Sequence, residues 1–200
     1  ILAARENRKK VGQFDLIRSI EKVMMGPERK SHLMTRKEKK IVAYHEGGHA
    51  LVSSVLPHAD PVHKVSIVSR GRAGGYTPKL PLEERKLQSK KEFLDDIAMS
   101  LGGYAAEELV FGDVTTGPSN DLQVATNLAR AMVTRWGMSD AIGAMALEGD
   151  GGRAMFGTGI EDDELSKGAS AKIGSEVKKI MDEARARAIE VLTTHRKTLD

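Results

Sequence analysis

Cysteine is absent from the 200 residues, which excludes disulfides and thiolate ligands and leaves histidine and carboxylates as the groups able to hold a metal ion. Aromatic residues make up only 4%, in a composition otherwise that of a soluble globular protein, 40% hydrophobic and 30% charged. No apolar run approaches the ~20 residues of a transmembrane helix, and no signal peptide is present. Charge of one sign is also lacking. The net charge is +3 with basic and acidic residues interspersed, so nothing asks for nucleic acid, and the basic stretches Arg29-Lys30 and Arg36-Lys37-Glu38-Lys39-Lys40 read as a solvated helix start. There is no internal repeat and no G-x-x-x-x-G-K, which excludes ATP binding by a P-loop. The chain opens at Ile1-Leu2-Ala3-Ala4, already helical in character and without an initiating Met. It reads as an excerpt of a longer protein, long enough for one domain plus a small appendage.

What is present is His45-Glu46-Gly47-Gly48-His49. Two histidines four residues apart on a helix point the same way and can reach one ion, and the glutamate between them stands where it can take a proton from a bound water. The alternative is a core helix with two hydrogen-bonded histidines. The context favours metal. Thr35 and Glu38 form a capping box, the helix runs to Leu56, and Pro57 ends it. Ile41, His45, Gly48, His49, Val52 and Val55 form one stripe at helical spacing, which puts both imidazoles on the buried face, where they need partners. Gly47 and Gly48 each cost roughly 1 kcal/mol in a helix interior relative to alanine; they read as points of close approach for another helix or a substrate backbone.

Elsewhere, residues 1–10 and 14–25 read as helices, the second amphipathic through Phe14, Ile17, Ile20, Val23 and Met24. Val62 to Ser69 reads as a strand, with Gly74 to Thr77 as a short return strand. That strand is either an edge that pairs with an extended substrate or an edge protected by Lys64. One helix is expected from Ser89 to Phe111, another from Ser119 to Trp136, and a long one over 166–199. Residues 149–164 read as a Gly-rich acidic loop. The expected fold is mainly α, a helical metalloprotease domain with a small two-stranded β-ribbon.

A catalytic zinc takes three protein ligands and keeps one position for water. Asp121 is the strongest candidate for the third. It lies four residues before Ala125 and seven before Leu128, and so extends the inward stripe of its helix by one turn; the alternative is a carboxylate that only complements the helix dipole. Its rivals are Glu108, on the stripe of Leu101 and Ala105, and Glu107, turned away from it; either also suits a hydrogen bond to a ligand histidine. His32, His58, His63 and His195 read as surface or packing residues.

Taken together, these residues resemble the FtsH family of membrane-anchored AAA+ ATP-dependent zinc metalloproteases. The resemblance rests on Ala43 to Ala50, Pro61 to Ile67, Gly75-Tyr76-Thr77, Leu101-Gly102-Gly103 with Ala105-Ala106-Glu107-Glu108, Thr116 to Leu122, Ala125 to Arg130, and Trp136-Gly137-Met138-Ser139. The chain departs from the family at Gly47, where alanine is usual, at Pro118, and in its Gly-rich loop, and none of these removes a chemical group. The resemblance implies zinc held by His45, His49 and Asp121, with Glu46 as catalytic acid/base. It implies a lid remnant of an ATPase at 1–28 and the zinc metalloprotease domain at 29–200, with ATP entering only through an ATPase core absent from this chain. For the parent it implies polypeptide substrates, a homo-hexamer, and a membrane anchor that leaves the peptidase facing the cytoplasm or an organelle matrix. Two rival readings remain: a proteolytically inactive assembly module of an AAA+ ring, and an unrelated zinc peptidase using Glu108.

Overall fold

The computed structural model describes residues 1–26, 34–62, 64–68, 77, 87–147 and 163–200. Among them the chain forms helices α1 (Leu2–Arg5), α2 (Gln13–Met25), α3 (Arg36–Val55), α4 (Lys90–Ser100), α5 (Gly102–Phe111), α6 (Ser119–Thr134), α7 (Asp163–Thr194) and α8 (Arg196–Leu199). The mainly helical class expected from the sequence is therefore what is found. The ribbon is not. Within the described part of 62–69 there is no strand, only isolated bridge positions at Val62 and Ser66. A strand requires a continuous hydrogen-bonded neighbour, and no described segment supplies one; the rest of the expected ribbon, at Ser69 and Gly74–Tyr76, lies outside the described residues.

Local chemistry sets the helix starts. Thr35 caps α3: its hydroxyl accepts from the Glu38 amide at 3.2 Å, and the Glu38 carboxylate accepts from the Thr35 amide at 2.6 Å. Ser89 and Glu92 repeat the device on α4. Each box satisfies two of the amides that a helix start leaves open.

Helices α3 to α7 enclose one core, in which Val52, Ile97, Ala98, Ala105, Ala106, Ala125, Ala129, Met132, Ala188 and Leu192 are all fully buried. Six of these ten are alanines, which lets the helix axes approach closely. The face expected on the last helix is observed: Ile180, Ala184, Ala188, Val191 and Leu192 are buried, with Ile173 and Val177 packed at the margin. Val55, by contrast, is exposed and leaves the stripe at the end of α3. The carboxylate of Asp95, 1% exposed, is matched by the Arg187 guanidinium of α7 and by the His58 amide at 3.0 Å, as a buried charge requires.

The helix expected from Ser89 to Phe111 is two helices that meet at Leu101. Here the backbone of α5 comes against α3. A Cβ placed on Gly48 would lie 2.4 Å from the Gly102 carbonyl oxygen and 2.7 Å from the Ala106 Cβ, and one on Gly102 would lie 2.9 Å from the Gly48 oxygen. Close approach is thus the use of Gly48. It is not the use of Gly47, whose Cβ would meet only Leu199 Cδ1 at an ordinary 3.5 Å. The two glycines should separate in a denaturation experiment. Gly48→Ala is expected to lose about 1–3 kcal/mol or more through overpacking against main chain, whereas Gly47→Ala should gain up to about 1 kcal/mol from helix propensity.

At the other end, the helix expected over 1–10 ends at Arg5, and Asn7 follows with a positive φ of 60°. The apolar face expected on α2 lacks a cover: Phe14, Ile20 and Val23 are exposed, and α2 packs on α1 and on no other described helix. No helix among the described residues is long and apolar enough to cross a membrane. The Gly-rich stretch is outside the described residues up to 162, and α7 begins at Asp163 rather than near 166.

Candidate metal centre

One turn apart on α3, His45 and His49 are both buried, and their Nε2 atoms stand 3.1 Å apart. Asp121 enters from the first turn of α6, where the inward stripe of Ala125, Ala129 and Met132 carries it toward α3. Its Oδ2 lies 3.3 Å from the Nε2 of His45 and 3.5 Å from that of His49. Among the described residues, these three form the group of side chains able to share one ion.

Ring protonation follows from the other face of each imidazole. The Nδ1 of His49 is 2.8 Å from the carbonyl oxygen of Met99, which can only accept, so Nδ1 carries the hydrogen and Nε2 a lone pair. The Nδ1 of His45 donates in the same way to the Glu107 carboxylate at 2.9 Å. Two nitrogen lone pairs and a carboxylate oxygen therefore converge on one point. Without a cation between them they repel. Ligands bound tetrahedrally at about 2.0–2.1 Å stand about 3.3–3.4 Å apart, and the three edges here are 3.1, 3.3 and 3.5 Å. The donor set fits a small divalent ion.

The protonation equilibria carry the same sign. Burial lowers the pKa of His45, but hydrogen bonds to Asp121 and Glu107 outweigh it and lift the group to about 9. Burial raises Asp121, yet its contacts with His45 and His49 hold the carboxyl well below the usual range. The site thus draws positive charge, as a proton or as a metal ion.

Glu46 lies between the two histidines and is itself buried. Burial pushes its carboxyl up, against the Thr77 hydrogen bond and the neighbouring histidines that pull it down. A raised carboxyl with a nearby hydroxyl donor is suited to taking up a proton and giving it back. The centre opens into a cleft of about 970 Å³, lined on one side by Ile41 and Val42 of α3 and on the other by Thr115, Thr116, Ser119 and Asn120.

Residues 32–200 match the family described as Peptidase family M41. The chain belongs to peptidase family M41. It is 48% identical over its whole length to the ATP-dependent zinc metalloprotease FtsH 1 of Sphaerobacter thermophilus, covering 31% of that protein. It is 44% identical to the ATP-dependent zinc metalloprotease FtsH of Bacillus subtilis, of which it covers 32%, and 46% identical to that of Thermotoga maritima, of which it covers 33%. In both cases all of this chain is aligned. The chain thus spans about a third of the length of the relatives it matches. The family is one of peptidases, and the relatives' names specify zinc metalloproteases, which supports a metalloendopeptidase here.

Within this M41 chain the two acidic rivals separate. Glu108 pairs with Arg185 of α7, Nε to Oε2 at 3.0 Å, away from the histidines. Glu107, the one expected to turn away from the stripe, is 1% exposed beneath His45 and also accepts from the Thr115 amide at 2.7 Å. Burial raises its pKa, but the bonds from His45 and Thr115 hold the carboxyl below its ordinary value. The stripe turned the other of the two inward because α5 is buried on two sides, against α3 and α7. One helical stripe describes only one of them. The missed signal was Gly103, one turn before Glu107: a Cβ there would stand 2.4 Å from the His45 ring, which marks that face as the one against the histidine. Glu107→Gln is expected to weaken zinc binding roughly 10–100-fold, the usual cost of losing the partner of a ligand histidine. Competition with a chelator of known affinity measures it.

Two further contributors were not picked out as site residues. Met99 acts through its carbonyl, which any residue would provide, and Thr77, although part of the Gly75-Tyr76-Thr77 match, carries no spacing that points at Glu46. His58 is exposed, His195 is outside the metal group, and His32 and His63 lie outside the described residues.

Proposed function

We propose that this chain is the proteolytic part of an ATP-dependent zinc endopeptidase, in which His45, His49 and Asp121 hold zinc and Glu46 is the general acid/base. The observation that carries this reading is the convergence of two histidine lone pairs and one carboxylate oxygen at edges of 3.1, 3.3 and 3.5 Å, beside a buried glutamate in an open cleft. Held by His45, His49 and Asp121, a zinc ion would supply Lewis acidity toward the scissile carbonyl and the attacking water. Glu46 takes the proton from the attacking water and returns it to the leaving amine. Glu107 and the Met99 carbonyl fix both imidazole tautomers, so that each Nε2 is held as a donor to the ion. An open cleft of this size has room for a segment of an unfolded polypeptide.

For the whole protein, the relatives' names support an ATPase-driven protease. Residues 1–28 are then the end of an ATPase lid and 29–200 the metalloprotease domain. The uncovered apolar face of α2 is what a fragment of a second domain would present. A homo-hexameric ring, tethered to a membrane with the peptidase on the cytoplasmic or matrix side, belongs to the same proposal. The inactive assembly module finds no support in a site where Glu46 and all three metal donors are intact. Cleavage of an unfolded polypeptide by the full-length protein is expected to stop when zinc is removed by a chelator and to return when zinc is restored. Undiminished cleavage by verified zinc-free protein would exclude the mechanism.

A further inference from the structure

We propose that Thr77 is a positioning residue for Glu46: its hydroxyl holds one carboxylate oxygen of the base and leaves the other for the reacting proton. Helix α3 fixes the backbone of Glu46 between the two histidines, but a glutamate carries three rotatable side-chain bonds, and the helix alone does not fix its carboxylate. Thr77 supplies the missing restraint from the segment between α3 and α4. Its Oγ1 lies 2.7 Å from Oε2 of Glu46 and 3.3 Å from the Glu46 carbonyl oxygen. A hydroxyl has one hydrogen to give, and the shorter contact takes it. Among the described residues this is the one side-chain donor to that carboxylate. Thr77 also lines the cleft together with His45, Glu46, His49 and Asp121, so the bond forms beside the reacting atoms. With Oε2 engaged, Oε1 is the oxygen open to the water. A general base displaced by about 1 Å loses on the order of 10²-fold in rate, and that sets the size of the effect.

The inference rests on Glu46 being the acid/base, and its test keeps the two apart. In the full-length zinc-loaded protein, Thr77→Val, which keeps the shape and removes the hydroxyl, is expected to lower kcat on an unfolded polypeptide roughly 10–100-fold with KM within about twofold. Zinc per chain and the melting temperature should stay at the parent values. Thr77→Ser, which retains the hydroxyl, should remain within about threefold of the parent kcat. If valine disturbs the fold, Thr77→Ala against Thr77→Ser makes the same comparison. An unchanged kcat in the valine variant overturns the role, as does an equal loss in serine and valine, or a loss of zinc from a folded valine variant. Glu46→Gln measured alongside separates the readings. If it is inactive while Thr77→Val is fully active, only the role of Thr77 falls; if it is itself active, the role of Glu46 falls too.

Discussion

Glu46→Gln is expected to lower peptide-bond cleavage roughly 10²–10⁴-fold, the span that a positioned acid/base contributes, with zinc per chain unchanged. Glutamine has the size and the side-chain oxygen of glutamate, so it can still accept the Thr77 hydroxyl that reaches Oε2 at 2.7 Å. It cannot take a proton. The substitution thus removes basicity and little else, and none of the three metal donors is touched. Turnover on an unfolded polypeptide and zinc content, measured on the same preparation, check both halves. Parent-like turnover would show that the proton goes elsewhere.

Asp121→Ala should have the larger effect on the metal itself. Deleting this carboxylate leaves two imidazoles, both on α3, and removes the only donor that comes from α6. The loss should exceed the roughly 10–100-fold expected for Glu107→Gln, because a ligand is gone rather than the partner of one. Neither Glu107 nor Glu108 is placed to take over. Glu107 faces the Nδ1 side of His45, away from the convergence point, and Glu108 is held by Arg185. The variant is expected to purify with little zinc and to cleave nothing. Full zinc occupancy in Asp121→Ala would remove Asp121 from the donor set.

The parts of this protein that could be read from sequence were those governed by one local period. The cap at Thr35, the inward-facing pair His45 and His49, the placement of Asp121 a turn ahead of Ala125, and the buried face of α7 all follow from 3.6-residue spacing along a single helix. What escaped depended on contacts between elements. The break at Leu101 and the reversal of Glu107 and Glu108 arise because α5 is wedged between α3 and α7. The glycine pair on α3 marked a place where helices touch, but of the two only Gly48 met a backbone, while Gly47 faced a side chain at a comfortable distance. β-branched composition at 62–69 states only a preference that a paired neighbour must complete, and the return segment expected at Gly74–Tyr76 lies outside the described residues.

The three metal donors also have a topological meaning. His45 and His49 stand on α3 and Asp121 on α6, so α4, α5 and the segments joining them all lie inside the loop that these residues close. An ion bound by all three is a cross-link across that loop. A clip of this kind acts largely on the unfolded chain, whose freedom it restricts, and longer loops gain more from it. The metal that serves the chemistry would then also hold the two halves of the domain in register, and a chain stripped of it would lose cohesion well beyond the cleft.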